Sequence, residues 1–200
     1  MDSTTIFAIV VGIVVILAIA TVIWVLLRKQ RTQKLRDRFG PEYRRVVRDE
    51  GDANKAERVL AEREKRINKL DLKPLSPESQ RRFADRWQQE QARFVDAPRE
   101  ALKNADRLVT EVMSERGYPM GDFEQRAADV SVDHPVVVEN YRVAHAIAVR
   151  DRDRPVSTEE LREAMIHYRA LFADLLHDGG KTPVREIVPE DRRKTRSAGR

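Results

Sequence analysis

"STEELREAMIHYRALFADL", residues 157–175, carries apolar side chains at Leu161, Met165, Tyr168, Phe172 and Leu175, spaced alternately by four and three. That is the period of one face of an α-helix, on which residues three and four apart lie in line. Ser157 and Glu160 precede the stripe in a capping-box arrangement, each placed to satisfy a backbone N–H that the first turn leaves unbonded. The stretch reads as an amphipathic helix with a core-facing stripe. Met and aromatic residues at this spacing are read as core and not as a cofactor box.

The same pattern extends toward the N-terminus. Val137, Tyr141, Ala144 and Ala148 face inward on a helix opened at Asp133-His134-Pro135, with Asp133 as its cap. Ala101, Ala105, Leu108, Val112 and Met113 form the stripe of another, started by Asp96 and Pro98 and ended by Gly117 in a left-handed position. Ser76, Pro77 and Glu78 start a third, with Phe83, Trp87, Phe94 and Val95 along one side. Asn54–Leu70 is a charge-laden helix capped by Asp52, with Ala56, Leu60, Ile67 and Leu70 on one face. Pro41 and Tyr43–Val47 mark a short helix that breaks at Gly51. No alternating strand pattern appears, and the connections are short, so consecutive helices are expected to pack antiparallel.

At the far N-terminus the pattern changes. Ile6–Leu27, "IFAIVVGIVVILAIATVIWVLL", is apolar for 22 positions apart from Gly12 and Thr21. At ~1.5 Å of rise per residue, such a helix spans a hydrocarbon core of ~30 Å. Trp24 near its end suits the membrane interface. A cleaved signal peptide is the rival reading, with Ala18–Ala20 as its small-residue site. However, no Lys or Arg precedes the run, its length exceeds a usual signal, and Ala18–Ala20 lies inside it. A retained transmembrane helix is therefore expected.

The basic residues sort along the chain. Arg28, Lys29, Arg31, Lys34, Arg36 and Arg38 face only Asp37, whereas residues 181–200 hold seven basic and three acidic residues. These two flanks outweigh the formal +5 of the whole chain, so the part between them is mildly acidic. A nucleic-acid-binding domain ordinarily shows its basic face on the folded part, so nucleic acid is not the expected partner. Directly behind the apolar run, the cluster places everything after Leu27 on the cytoplasmic side by the positive-inside rule.

The expected fold class is all-α: one N-terminal transmembrane helix, a small antiparallel helical bundle and a disordered basic tail. The organisation is an external N-terminus at 1–5, the span at 6–27, a basic juxtamembrane segment at 28–38, a helical cytoplasmic domain at 39–180 and the tail at 181–200. Charged residues at 36% and aromatics at 6% fit charge-rich helices.

Catalytic and metal chemistry find little support. The chain has no Cys, which excludes disulfides, thiolate metal sites and thiol catalysis. His134, His145, His167 and His177 include no pair four apart on one helix, and no P-loop, GxGxxG, GxSxG, HExxH or EF-hand pattern occurs. His145, among apolar neighbours, reads as a buried histidine with one hydrogen bond. No cofactor is expected. The richest polar stretch is the connector Gly117–Pro135, holding Asp122, Glu124, Asp129, Asp133 and His134. Asp122 with Gln125 reads as a capping pair, Asp133 as a cap, and His134 as a solvated neighbour. Tyr118 and Phe123 lie at the same loop, and loops on a rigid scaffold are where binding usually resides. Tyr118, Asp122, Phe123, Asp133 and His134 are accordingly the candidate partner-binding loop. Arg28, Lys29, Arg31 and Lys34 are the candidate contacts to anionic lipid.

"LRDRFGPEYRR", "KLDLKPLSPESQRRF", "RFVDAP", "ADRLVTEVM", "RGYP" and "DFEQRAADVSVDHPVVVENYRVAHAIA" together resemble an uncharacterised family of small bacterial proteins. The resemblance covers residues 35–176. It implies one N-terminal helix in the bacterial inner membrane and a helical remainder, and it carries no activity and no functional residues.

The expected function is a protein-interaction or scaffolding module, without enzymatic activity, at the cytoplasmic face of the inner membrane. An anionic-lipid or nucleic-acid binder acting through the basic flanks is the alternative. A hydrolase or transferase using the Asp122–His134 region is the weaker one.

Overall fold

The computed structural model describes residues 3–177, apart from the side chains of residues 3–11, 14 and 15. Among the described residues there are seven helices and no strand. They are α1 (Ser3–Glu50), α2 (Ala53–Ile67), α3 (Pro77–Arg93), α4 (Pro98–Arg116), α5 (Phe123–Asp133), α6 (Val138–Asp153) and α7 (Thr158–Leu176). The all-α class expected from the sequence is what the described residues adopt. The helix stop expected at Asp178–Gly180 and the tail at 181–200 lie outside the described residues.

Most helix starts follow the local chemistry. Asp52, Ser76 and Asp122 each accept a hydrogen bond from the backbone N–H three residues on, and the Ser157–Glu160 capping box closes in both directions. Two starts differ. Asp133 is the last residue of α5, and α6 begins behind Val137, which offers no side-chain cap. At α4 the capping position falls on Ala97 and not on Asp96. Val95 is 84% exposed, because α3 ends at Arg93 and the turn that follows carries Val95 off the stripe.

α1 is two arms. Gly40 interrupts it with φ 46° and ψ −118°, followed by Pro41, which has no N–H to give. The side-chain pairings show what the break does. Arg28 bonds Asn54, Thr32 bonds Glu57 and Arg38 bonds Glu64, so the first arm and α2 advance in the same direction. Glu42 meets Arg63 and Tyr43 meets Glu57, so the second arm runs against α2. A straight helix from Arg28 to Glu50 would put its ends ~33 Å apart, far beyond the reach of Asn54 just after it. Gly40 therefore turns the chain back on itself. The short helix expected at Pro41–Val47 is this second arm.

The core begins at Leu35 and Phe39, within or beside the segment read as a basic connector, and takes in Tyr43 and Val46 from the returning arm. α2 lies along α1, and α5 touches α1, α2 and α6. α6 packs on α7, α7 on α4 and α4 on α3. The successive helices α2 and α3, and likewise α4 and α5, are not among these packed pairs, which departs from the expected neighbour-on-neighbour bundle. The reason lies in residues 71–76, which are not helical and cross to the far end of α4: Lys73 N–H donates to the Arg116 carbonyl at 3.0 Å. Gly117 is required there twice over. Its φ is 95°, and a Cβ would come within 3.1 Å of the Asp71 carbonyl oxygen. Trp87 stacks on Phe172 with ring centroids 4.6 Å apart, fastening α3 to α7.

Among the described residues no helix is long and apolar enough to cross a membrane. The run expected to do so, 6–27, lies partly outside the described side chains. Within it, the large side chains at Ile16, Leu17, Ile19 and from Val22 to Leu27 are between 48% and 66% exposed.

Replacing Gly40 with Ala tests the reversal. Nothing lies within 4 Å of the added Cβ, so any effect comes from the backbone conformation alone. The expected loss is about 1–3 kcal/mol in urea unfolding, the usual cost of a non-glycine residue in that region. An unchanged midpoint would show that the turn carries no strain.

Candidate functional site

The connector is packed inward at its two ends and exposed from Met120 to Asp122. Tyr118 is buried, and its hydroxyl donates to Asp133 Oδ2 at 3.3 Å. Burial, chiefly, and the Asp133 charge push that phenol's pKa upward, so it stays a protonated donor. His134 is buried, not solvated: its Nδ1 lies 2.5 Å from Asp174 Oδ2 on α7, while its Nε2 has no partner among the described residues. Asp133 also faces Arg38 of α1 at 3.6 Å. Phe123 lies flat on His145, with centroids 3.6 Å apart and planes within 6°. Asp122 is fully at the surface, as the cap of α5, while Phe123 and Asp133 are half-buried. Asp122, Asp133 and His134 thus have separate partners and separate duties. Of the five candidate partner-binding residues, Tyr118 and His134 are withdrawn from the surface.

Around the connector lies a set of charges, buried or partly so, of which only Asp129 was singled out from the sequence. Glu42 is 2% exposed and accepts both guanidinium nitrogens of Arg142, at 2.8 and 2.9 Å, and Arg63 Nη1 at 2.9 Å. One carboxylate thereby joins α1, α2 and α6. Arg63 also reaches Ser131 Oγ of α5 at 3.4 Å. Asp129 is buried against Arg66 of α2 and accepts from Gln125 at 3.0 Å. Asp106 accepts from Tyr168 at 2.8 Å, and burial raises that phenol's pKa too. The signal for Glu42 was in the sequence: with Leu35, Phe39 and Val46 it occupies an i, i+4, i+7, i+11 seam, where an acid is out of place unless it has partners. Arg63 and Arg142 carried no comparable signal, since arginines on helices are usually solvated.

The basic residues behind the apolar run divide into two groups. Lys29 and Lys34 are exposed and form no ion pair among the described residues. Arg28 and Arg31 line a cleft where the first arm of α1 meets the start of α2. Arg28 bonds Asn54 Oδ1 and holds its guanidinium over the Trp24 ring at 5.4 Å. Arg58, on α2, lines the same cleft and lay outside the sequence-based group. Among the described residues, no three His, Asp or Glu side chains converge closely enough to hold a metal ion.

No family model matches the chain, and no match is found among curated proteins or among solved structures.

Two outcomes follow from these contacts. Glu42→Ala leaves two guanidiniums in a largely buried place without their counter-charge, and the expected loss is about 3–5 kcal/mol by urea unfolding. A loss under about 1 kcal/mol would mark the cluster as solvated. His145 is held below its ordinary pKa of 6.5, chiefly by burial. The unfolded chain therefore takes up that proton first as pH falls below 6.5, and stability is lost between there and the lower folded value. The difference in unfolding free energy between wild type and His145→Gln is expected to be flat above pH 6.5 and to shift in the variant's favour below it. A difference that stays constant to pH 5 would contradict it.

Proposed function

We propose that this chain is a single-pass, membrane-anchored helical module that presents its folded part at the cytoplasmic face of a bacterial inner membrane and acts by binding another protein there. One observation carries the anchor. From Val22 to Leu27, large apolar side chains stand exposed on six consecutive positions, hence on every side of the helix. A helix that is apolar all round belongs in a protein core or in lipid, and no part of the bundle covers this one. The 22-residue length of the run from Ile6 supports a full span. The basic cluster beginning at Arg28 supports the inward orientation.

Binding is favoured over catalysis by the fate of the polar residues. Asp129, Asp133 and His134 are engaged in tertiary contacts, Asp122 caps α5, and the buried charges join helices to one another. An anchored, rigid bundle with its polar interior so occupied is suited to holding a partner at the membrane.

The anchor is tested by extracting membranes at alkaline pH and mapping a C-terminal reporter. The protein is expected to stay in the membrane pellet, with the reporter active only in the cytoplasm. Recovery in the supernatant, or a reporter active in the periplasm, would overturn the arrangement. The binding role is tested by crosslinking in intact membranes with mass spectrometry of the products. A defined heterologous protein is the expected product, and an exclusively monomeric chain would remove that reading.

A further inference from the structure

The cleft at the root of the apolar arm has a volume of about 450 Å³ and walls of two kinds. Trp24 and Leu27 give it an apolar side continuous with the exposed rod. Arg28 and Arg31 from α1 and Arg58 from α2 give it three guanidiniums. One carboxylate, Glu57, also lines it. That acid is already engaged, accepting from Thr32 Oγ1 at 2.8 Å and Tyr43 hydroxyl at 3.1 Å. Among the described residues neither Arg31 nor Arg58 forms an ion pair, although most other arginines of α2 and α3 near acids do. The cleft therefore has positive charge in excess, in planar donors whose geometry matches phosphate oxygens.

We propose that this cleft binds the phosphate of an anionic glycerophospholipid, with the acyl chains lying along the apolar arm above Trp24. This rests on the membrane anchor argued above and goes beyond it by assigning a site. Both halves of such a lipid are matched: guanidiniums for the head group, and an uncovered apolar helix directly behind them for the chains. Trp24 stands at the junction, where an indole ring is favoured at a bilayer interface, and Arg28 over its face fixes the height of the charge. Arg58 is the informative member. It comes from the folded part and not from the juxtamembrane run, so a lipid held by Arg28, Arg31 and Arg58 together ties the anchor to the bundle. Lys29 lies as near the apolar run as Arg28 and Arg31 but does not line the cleft. It distinguishes a built site from diffuse attraction to a charged surface.

The test uses the full chain in nanodiscs of phosphatidylcholine with a minor fraction of phosphatidylglycerol, reading retained lipid by native mass spectrometry and thermal stability in parallel. Phosphatidylglycerol is expected to be retained preferentially and to raise the melting temperature. Arg58→Ala should lower that retention about five-fold, the effect of one basic residue held at an anionic surface, while Lys29→Ala should change it little. Equal losses from Arg58→Ala and Lys29→Ala would overturn the site in favour of diffuse attraction. Millimolar glycerol phosphate added to protein in pure phosphatidylcholine should not reproduce the stabilisation; if it did, the cleft would be a site for a soluble phosphate and not for lipid. A chain that does not enter phosphatidylcholine nanodiscs at all would overturn the anchor together with the site. A chain that enters them but shows no preference for phosphatidylglycerol would overturn the site alone.

Discussion

The arrangement of the folded part depends on one buried carboxylate. Glu42 is the first charged residue after the reversal at Gly40, and it is nearly inaccessible. A charge in that position is tolerated only with counter-charges at hydrogen-bond distance, and Arg63 and Arg142 supply them from two other helices. The returning arm of α1 can therefore sit in one place only. Phe39 and Tyr43 on either side of the turn are buried as a consequence, and α2 is fixed along the first arm. Apolar packing alone would give the arm a favourable seam but not a unique register. The charged cluster selects one.

Most of the helices could be read from the sequence because their signals are local. Ser76, Asp122, Gly117 and the Ser157–Glu160 box act within one turn of the residues they cap, and the stripe of α7 is written every three or four positions. Asp133 shows where that logic stops. Its neighbours Pro135 and Val137 look like a helix start, but the carboxylate is engaged by Tyr118, fifteen residues back, and faces Arg38 of α1. His134 departs from the solvated role expected of it for the same reason, since its partner Asp174 lies forty residues on. Tertiary partners decided the role of both residues, and no window of local sequence contains them.

The candidate site was legible to a similar degree. Arg28 and Arg31 stood out as part of a cluster behind an apolar run, and two of the four residues named there line the cleft. Arg58 sits in a helix so rich in charge that nothing marks it. Only the reversal at Gly40 explains its place, because that turn lays α2 beside the first arm and not beyond the second. The neighbour-on-neighbour bundle expected from short connections failed likewise at α2 and α3. The chain between them crosses to the end of α4, where Gly117 leaves room for it.

The first arm of α1 and α2 advance in step, bridged at Arg28 to Asn54, Thr32 to Glu57 and Arg38 to Glu64. Three rungs between helices pointing the same way are loaded in shear when the arm is drawn along its axis. They share the tension rather than opening one after another, as the rungs of a peeled hairpin would. A pull along the axis of the N-terminal rod is thus spread over the length of α2 before it reaches Glu42.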